Sequence, residues 1–175
     1  MTLPTVERLD GIVRTYDWGD LEALADLIGH PPSGRPEAEY WLGAHPSGPA
    51  VLEASKQPLD RAIDDDPTAW LGGDVAARFG HLPFLVKVLA ARRALSIQAH
   101  PSAGQAAAGF AREERDGPAR DAPNRTYRDP NHKPELVCAL TSFEARCGFR
   151  DPSATMAVLE RFGPSLAAVR DHLAA

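Results

Sequence analysis

Two runs decide the fold: Phe84-Leu85-Val86-Lys87-Val88-Leu89-Ala90 and Ala94-Leu95-Ser96-Ile97-Gln98-Ala99-His100, separated by Ala91-Arg92-Arg93. The first is β-prone and nearly all apolar, which predicts a strand inside a sheet. Three residues suffice for the turn, and the second run returns beside the first. Side chains alternate along a strand, so Leu95, Ile97 and Ala99 share one face and Ser96, Gln98 and His100 the other, each about 6–7 Å from the next. Gln and His at i and i+2 on one rigid strand either meet solvent or converge on a metal, and spacing alone leaves both open. Lys87 is the other oddity. An edge lysine reaches water along its apolar stem; a buried one beside a metal could act as a base.

Working outward, strands are expected at residues 9–15, 39–42 and 50–54, the last two joined by the turn-rich His45-Pro46-Ser47-Gly48-Pro49. Asp20 caps a short helix carrying Leu21, Leu24, Leu27 and Ile28. Residues 58–80 read as short helical pieces, with Pro67 in a first turn after Asp66. On the far side, Ser102 to Glu114 is Ala-rich and helical and leads into an Asp/Gly/Pro/Arg loop ending at Tyr127. Leu136 to Phe143 reads as another strand, extending toward Phe149. From Asp151 the texture becomes helical, with Gly163-Pro164 dividing two helices, the second over Ser165 to Leu173. The expected organisation is a β-rich body over residues 1–150 and a helical segment over 151–175.

The 175 residues suit one domain with at most a small appendage. A net charge of −5, from 19 Lys+Arg against 24 Asp+Glu, argues against a nucleic-acid or anionic-membrane partner. No apolar run approaches the roughly 20 residues of a membrane span, and the first residues lack the basic and apolar regions of a signal peptide. Cys138 and Cys147 suit neither a disulfide scaffold nor a Cys₄ zinc module, so a cytoplasmic protein with free thiols is expected. Of the 19 basic residues only Lys56, Lys87 and Lys133 are lysines. In so Arg-biased a chain, a retained lysine points to a need for a compact ammonium.

Lys133 lies in Tyr127-Arg128-Asp129-Pro130-Asn131-His132-Lys133-Pro134-Glu135. Two prolines stiffen this polar stretch, and Glu135 opens the expected strand. Carboxylate, imidazole and amide together make a mixed N/O donor set suited to zinc, although a charged surface loop fits the same spacing. At its fixed positions the stretch resembles the signature of type I mannose-6-phosphate isomerases. Supporting matches, in the same order as in that family, are Tyr16-Asp17-Trp18-Gly19, the run Ala38 to Pro46, Leu82 to Leu89, and Leu95 to Pro101. They span Tyr16 to about Arg150.

The resemblance implies a mainly β fold with helices, an incomplete cupin-type β-barrel extended by a helical segment. It implies a zinc-dependent aldose–ketose isomerase that interconverts mannose 6-phosphate and fructose 6-phosphate through a cis-enediol. Gln98, His100 and Glu135 would be three of four zinc ligands. Lys87, His132 and Lys133 would be catalytic, and Trp18 and Ser96 would contact the sugar phosphate. The family's fourth ligand, a His, and an essential Arg have no counterpart here after Arg150, so the chain resembles the N-terminal portion, and a complementary C-terminal chain is an expected partner. The competing reading is a non-catalytic cupin remnant that binds metal or sugar phosphate.

Overall fold

In the computed structural model, residues 6–174 are described. They form two compact units, one ending at Ala99 and the other beginning at His100. In the first, β1 (Leu9–Asp10) pairs antiparallel with β4 (Val51–Leu52), and β2 (Ile12–Arg14), β3 (Glu39–Leu42) and β5 (Val86–Leu89) form a three-stranded antiparallel sheet in the order β2-β3-β5. The expected barrel is therefore present only as small antiparallel sheets; no closed barrel occurs among the described residues.

Between the strands, α1 (Ala23–Ile28) starts where the Asp20 carboxylate accepts the backbone N–H groups of Glu22 and Ala23, both at 2.9 Å. The bond from Ala23 holds the Asp20 carboxyl below its usual range, and the helix closes on Gly29 in the left-handed conformation, φ 80°. The predicted helical pieces are α2 (Leu59–Asp65), α3 (Pro67–Leu71) and α4 (Gly73–Phe79), with the Asp66 side chain capping α3 ahead of Pro67. Leu52, Leu59, Ala62 and Ile63 form the core, covered by Ala44, Leu71 and Leu82. Burying each large aliphatic side chain there contributes about 1.5–3 kcal/mol.

The expected hairpin over 84–100 does not form. β5 pairs with β3 alone, so it is an edge strand rather than an interior one, and Val86 and Leu89 are 49% and 39% exposed. Beyond it, Ala91 bridges to Gly19, and the Arg92 and Arg93 N–H groups donate to the Trp18 carbonyl at 2.9 and 3.2 Å. The turn residues are thus occupied by the chain at Trp18–Gly19. Residues 94–100 leave the ladder, exposed throughout and without strand structure.

The second unit is helical. α5 (Ala103–Asp116) begins at a reciprocal cap in which the Ser102 hydroxyl accepts from Gln105 N and Gln105 Oε1 accepts from Ser102 N. α6 (Pro152–Glu160), a 3₁₀ turn (Gly163–Leu166) and α7 (Ala167–Ala174) follow, close to the helices expected from sequence. The predicted strand at Leu136–Phe143 is absent, and Leu136 and Leu140 are 96% and 74% exposed. Both missing strands fail for one reason: β-propensity without a neighbouring ladder leaves the backbone groups unpaired. Among the described residues no helix is long and apolar enough to cross a membrane.

Candidate active site

In the first unit, register places Lys87. Its Cα partner across the β3–β5 ladder is Trp41, and Glu39 lies two residues before Trp41 on the same face. The Lys87 ammonium consequently sits 3.3 Å from Glu39 Oε2 and 4.7 Å over the Trp41 ring. The same carboxylate oxygen accepts the Trp41 indole N–H at 2.5 Å. Glu39 is buried and the Lys87 side chain is 22% exposed, so the lysine is held as a paired cation on one face of the sheet. Arg14 stacks 4.8 Å from the Trp41 ring.

Glu39 was not singled out from the sequence. Its signal was present: a carboxylate spaced i, i+2 from Trp41 on an otherwise apolar strand needs a buried partner. Trp18 is half-buried and stacks on Tyr16 with ring centroids 5.8 Å apart. Ser96 and Gln98 touch each other, Gln98 Nε2 donating to Ser96 Oγ at 2.9 Å. They do so on the exposed, irregular stretch rather than on the polar face of a strand.

In the second unit the structure joins three of the singled-out residues. His100 Nε2 lies 3.6 Å from Glu135 Oε2, and Lys133 Nζ lies 3.3 Å from Glu135 Oε1. His100 stands two residues before the Ser102 cap of α5. Glu135 ends the stretch that Pro130 and Pro134 stiffen, and Asp129 turns that stretch by accepting the Asn131 N–H at 2.8 Å. His132 is exposed on the same loop. No three His, Cys, Asp or Glu side chains gather tightly enough among the described residues to hold an ion by themselves. The imidazole–carboxylate pair nevertheless has N and O donors of the kind zinc prefers.

A His–Glu pair flanked by lysine offers nitrogen and oxygen donors beside a cation. The comparisons narrow this. The family described as phosphomannose isomerase type I, catalytic domain, matches residues 6–152, and the chain belongs to that family. The mannose-6-phosphate isomerase of Escherichia coli is 44% identical over 159 residues, covering 89% of this chain and 41% of the relative. That of Saccharomyces cerevisiae is 37% identical over 155 residues, 82% of this chain and 34% of the relative. The crystal structure of mannose 6-phosphate isomerase from Salmonella typhimurium, bound to fructose 6-phosphate and zinc, is 42% identical with a TM-score of 0.80, over 97% of this chain and 44% of that one. The chain spans about two fifths of the length of these relatives.

Proposed function

We propose that this chain carries the N-terminal part of a zinc-dependent isomerase that interconverts mannose 6-phosphate and fructose 6-phosphate. The observation that supports this most directly is the approach of His100 to Glu135, 3.6 Å, with Lys133 on the other carboxylate oxygen. In this reading Gln98, His100 and Glu135 hold one zinc ion, which when bound supplies Lewis-acid polarisation of the sugar's carbonyl oxygen.

The chemistry is a proton transfer between neighbouring carbons. The proton on C2 of the open-chain aldose leaves to a base, the electron pair forms the cis-enediol, and a proton returns to C1 while O2 becomes the carbonyl. Nothing is oxidised overall. A lysine ion-paired to Glu39 is arranged to donate a hydrogen bond rather than to take a proton, so Lys87 stabilises oxygen charge as it develops. His132, exposed on the loop that also carries Lys133 and Glu135, is the base in this reading. Lys133 and Ser96 hold phosphate or sugar oxygens, and Trp18 contributes an apolar wall.

The unpaired segments 94–100 and 136–143 favour a further element in this reading: a polypeptide matching the remaining part of the relatives pairs with them and completes the site. The test is a coupled assay of fructose 6-phosphate formation from mannose 6-phosphate, with zinc, for the chain alone and mixed with that complementary polypeptide. Expected is negligible turnover alone and turnover of about 1–10³ per second in the mixture. Full turnover by the chain alone as a monomer would remove the need for completion. A mixture that assembles without turnover would leave the non-catalytic binding reading in place.

A further inference from the structure

Among the described residues, the buried charged side chains are Glu37, Glu39 and Arg125, and the chemistry above makes no use of Arg125. Its guanidinium is 2% exposed and nearly every N–H it carries is spent within the second unit. Nε donates to the Tyr127 carbonyl at 2.8 Å, Nη1 to the carbonyls of Pro118 at 2.8 Å and Glu113 at 3.1 Å, and Nη2 to Glu114 Oε1 at 2.8 Å. A buried charge costs too much to persist unless paired and hydrogen-bonded in this way. The bonds run to the last turn of α5, to the start of the loop that follows it and to the loop's end, so they close that loop on itself.

Glu113 works from the other side. Its Oε2 accepts the backbone N–H of Tyr127 at 2.7 Å and of Thr126 at 3.2 Å, and it lies 3.0 Å from Arg125 Nε. The Tyr127 ring then seats against α5 where Gly109 has no side chain: a Cβ there would stand 2.5 Å from the ring. One helix therefore carries His100 just ahead of its first turn and Tyr127 on its flank. Between Tyr127 and Glu135 the chain is shortened by the Asp129 turn and stiffened by two prolines.

We infer that Arg125 and Glu113 are positioning residues: by clasping Thr126–Tyr127 to α5 they set the approach of Glu135 to His100. The inference rests on the metal-site reading above, and neither residue touches metal or substrate. Arginine is required for its shape, since a planar fork reaches several carbonyls at once and an ammonium does not.

The test compares the intact 175-residue chain with Arg125→Lys, Glu113→Gln and, as a ligand control, Glu135→Gln. Two readouts are taken: amide hydrogen exchange by NMR, and Co(II) titration followed by its d–d absorption. In Arg125→Lys, exchange at the hydrogen-bonded amides of Thr126, Tyr127 and Asn131 should accelerate about tenfold or more while amides of α5 keep their protection. Co(II) affinity should fall about tenfold, the lower end of what supporting residues around a metal contribute. Glu135→Gln should lose Co(II) binding with Tyr127 exchange unchanged. Should Arg125→Lys melt α5, Glu113→Gln, which keeps the size of the side chain, carries the same two readouts. Co(II) affinity within about twofold of the parent, once Tyr127 is released, overturns the inference. A parent chain that binds no Co(II) removes the metal reading instead. The clasp is then judged by exchange alone, and is refuted if the Asn131 amide is unaffected when Tyr127 is freed.

Discussion

Lys87 and Glu135 are fixed by different physics. Lys87 is fixed by register: two ladders of backbone hydrogen bonds run from β2 through β3 to β5, and its position opposite Trp41 follows from counting residues. Glu135 sits on a segment with no ladder. Its place depends on an Asx turn, two prolines and the side-chain-to-backbone bonds that Arg125 and Glu113 supply upstream. A position set by register changes only if strands slip or melt, whereas one set by a few side chains can be released by one substitution. The difference teaches where each region is vulnerable: to packing at Lys87, to polar chemistry at Glu135.

The largest expected effect is on the packing side. Trp41 is 7% exposed and meets Lys87, Arg14 and His45. Trp41→Ala should cost about 3–5 kcal/mol, a large share of a typical domain's stability. Urea unfolding followed by amide exchange checks it. Protection in α5 should persist when the sheet has lost its own. Parallel loss in both would show that the two modes of fixation are not separable.

Gly19 offers a gentler probe of the same side. A Cβ at this position would lie 2.7 Å from both Ala38 N and the Glu37 carbonyl carbon, backbone atoms that cannot swing aside. Gly19→Ala should therefore destabilise by about 1–3 kcal/mol, the usual cost of overpacking. A melting temperature equal to the parent's would mean that the bridge between Gly19 and Ala91 is not as tight as drawn. On the polar side, Ser102→Ala removes the cap beside His100 and should cost about 1 kcal/mol. Helicity by circular dichroism, with Co(II) affinity measured in parallel, reads it.

These contrasts also explain what the sequence made legible. Local rules held wherever structure is local: the Asp20, Asp66, Ser102 and Asp151 helix starts, and the Gly163-Pro164 break. The strand at 39–42 was recovered because β2 and β5 flank it. Residues 94–100 and 136–143 carry equally good β signals and formed nothing, since a strand is a property of a pair. Of the residues that the resemblance singles out, His100 and Lys133 each lie within ion-pair distance of Glu135. Glu39 and Arg125 were overlooked because their roles arise from burial, which side-chain type alone does not reveal.

The smallest effect expected is one of acidity, and it separates the two regions without any substitution. The Glu113 carboxyl is held below its ordinary range first by the Tyr127 N–H, and Glu114 is lowered to about 2 chiefly by its bond to Arg120, with Arg125 adding to it. A carboxyl whose folded value lies below its unfolded one stabilises the structure above the unfolded value and loses that contribution as pH falls through the folded one. For Glu114 that interval runs from the ordinary 4.5 down to about 2. Acidification across it should loosen Thr126–Tyr127 before the sheet responds. The β3–β5 ladder consists of backbone bonds that no proton removes. The Tyr127 ring signals and the backbone amides of β3 and β5, resolved by NMR during an acid titration, check the order. Tyr127 should move first and the backbone amides of the β3–β5 ladder later. The reverse order, or a single shared midpoint, would show that the clasp does not set the acid limit of its own region.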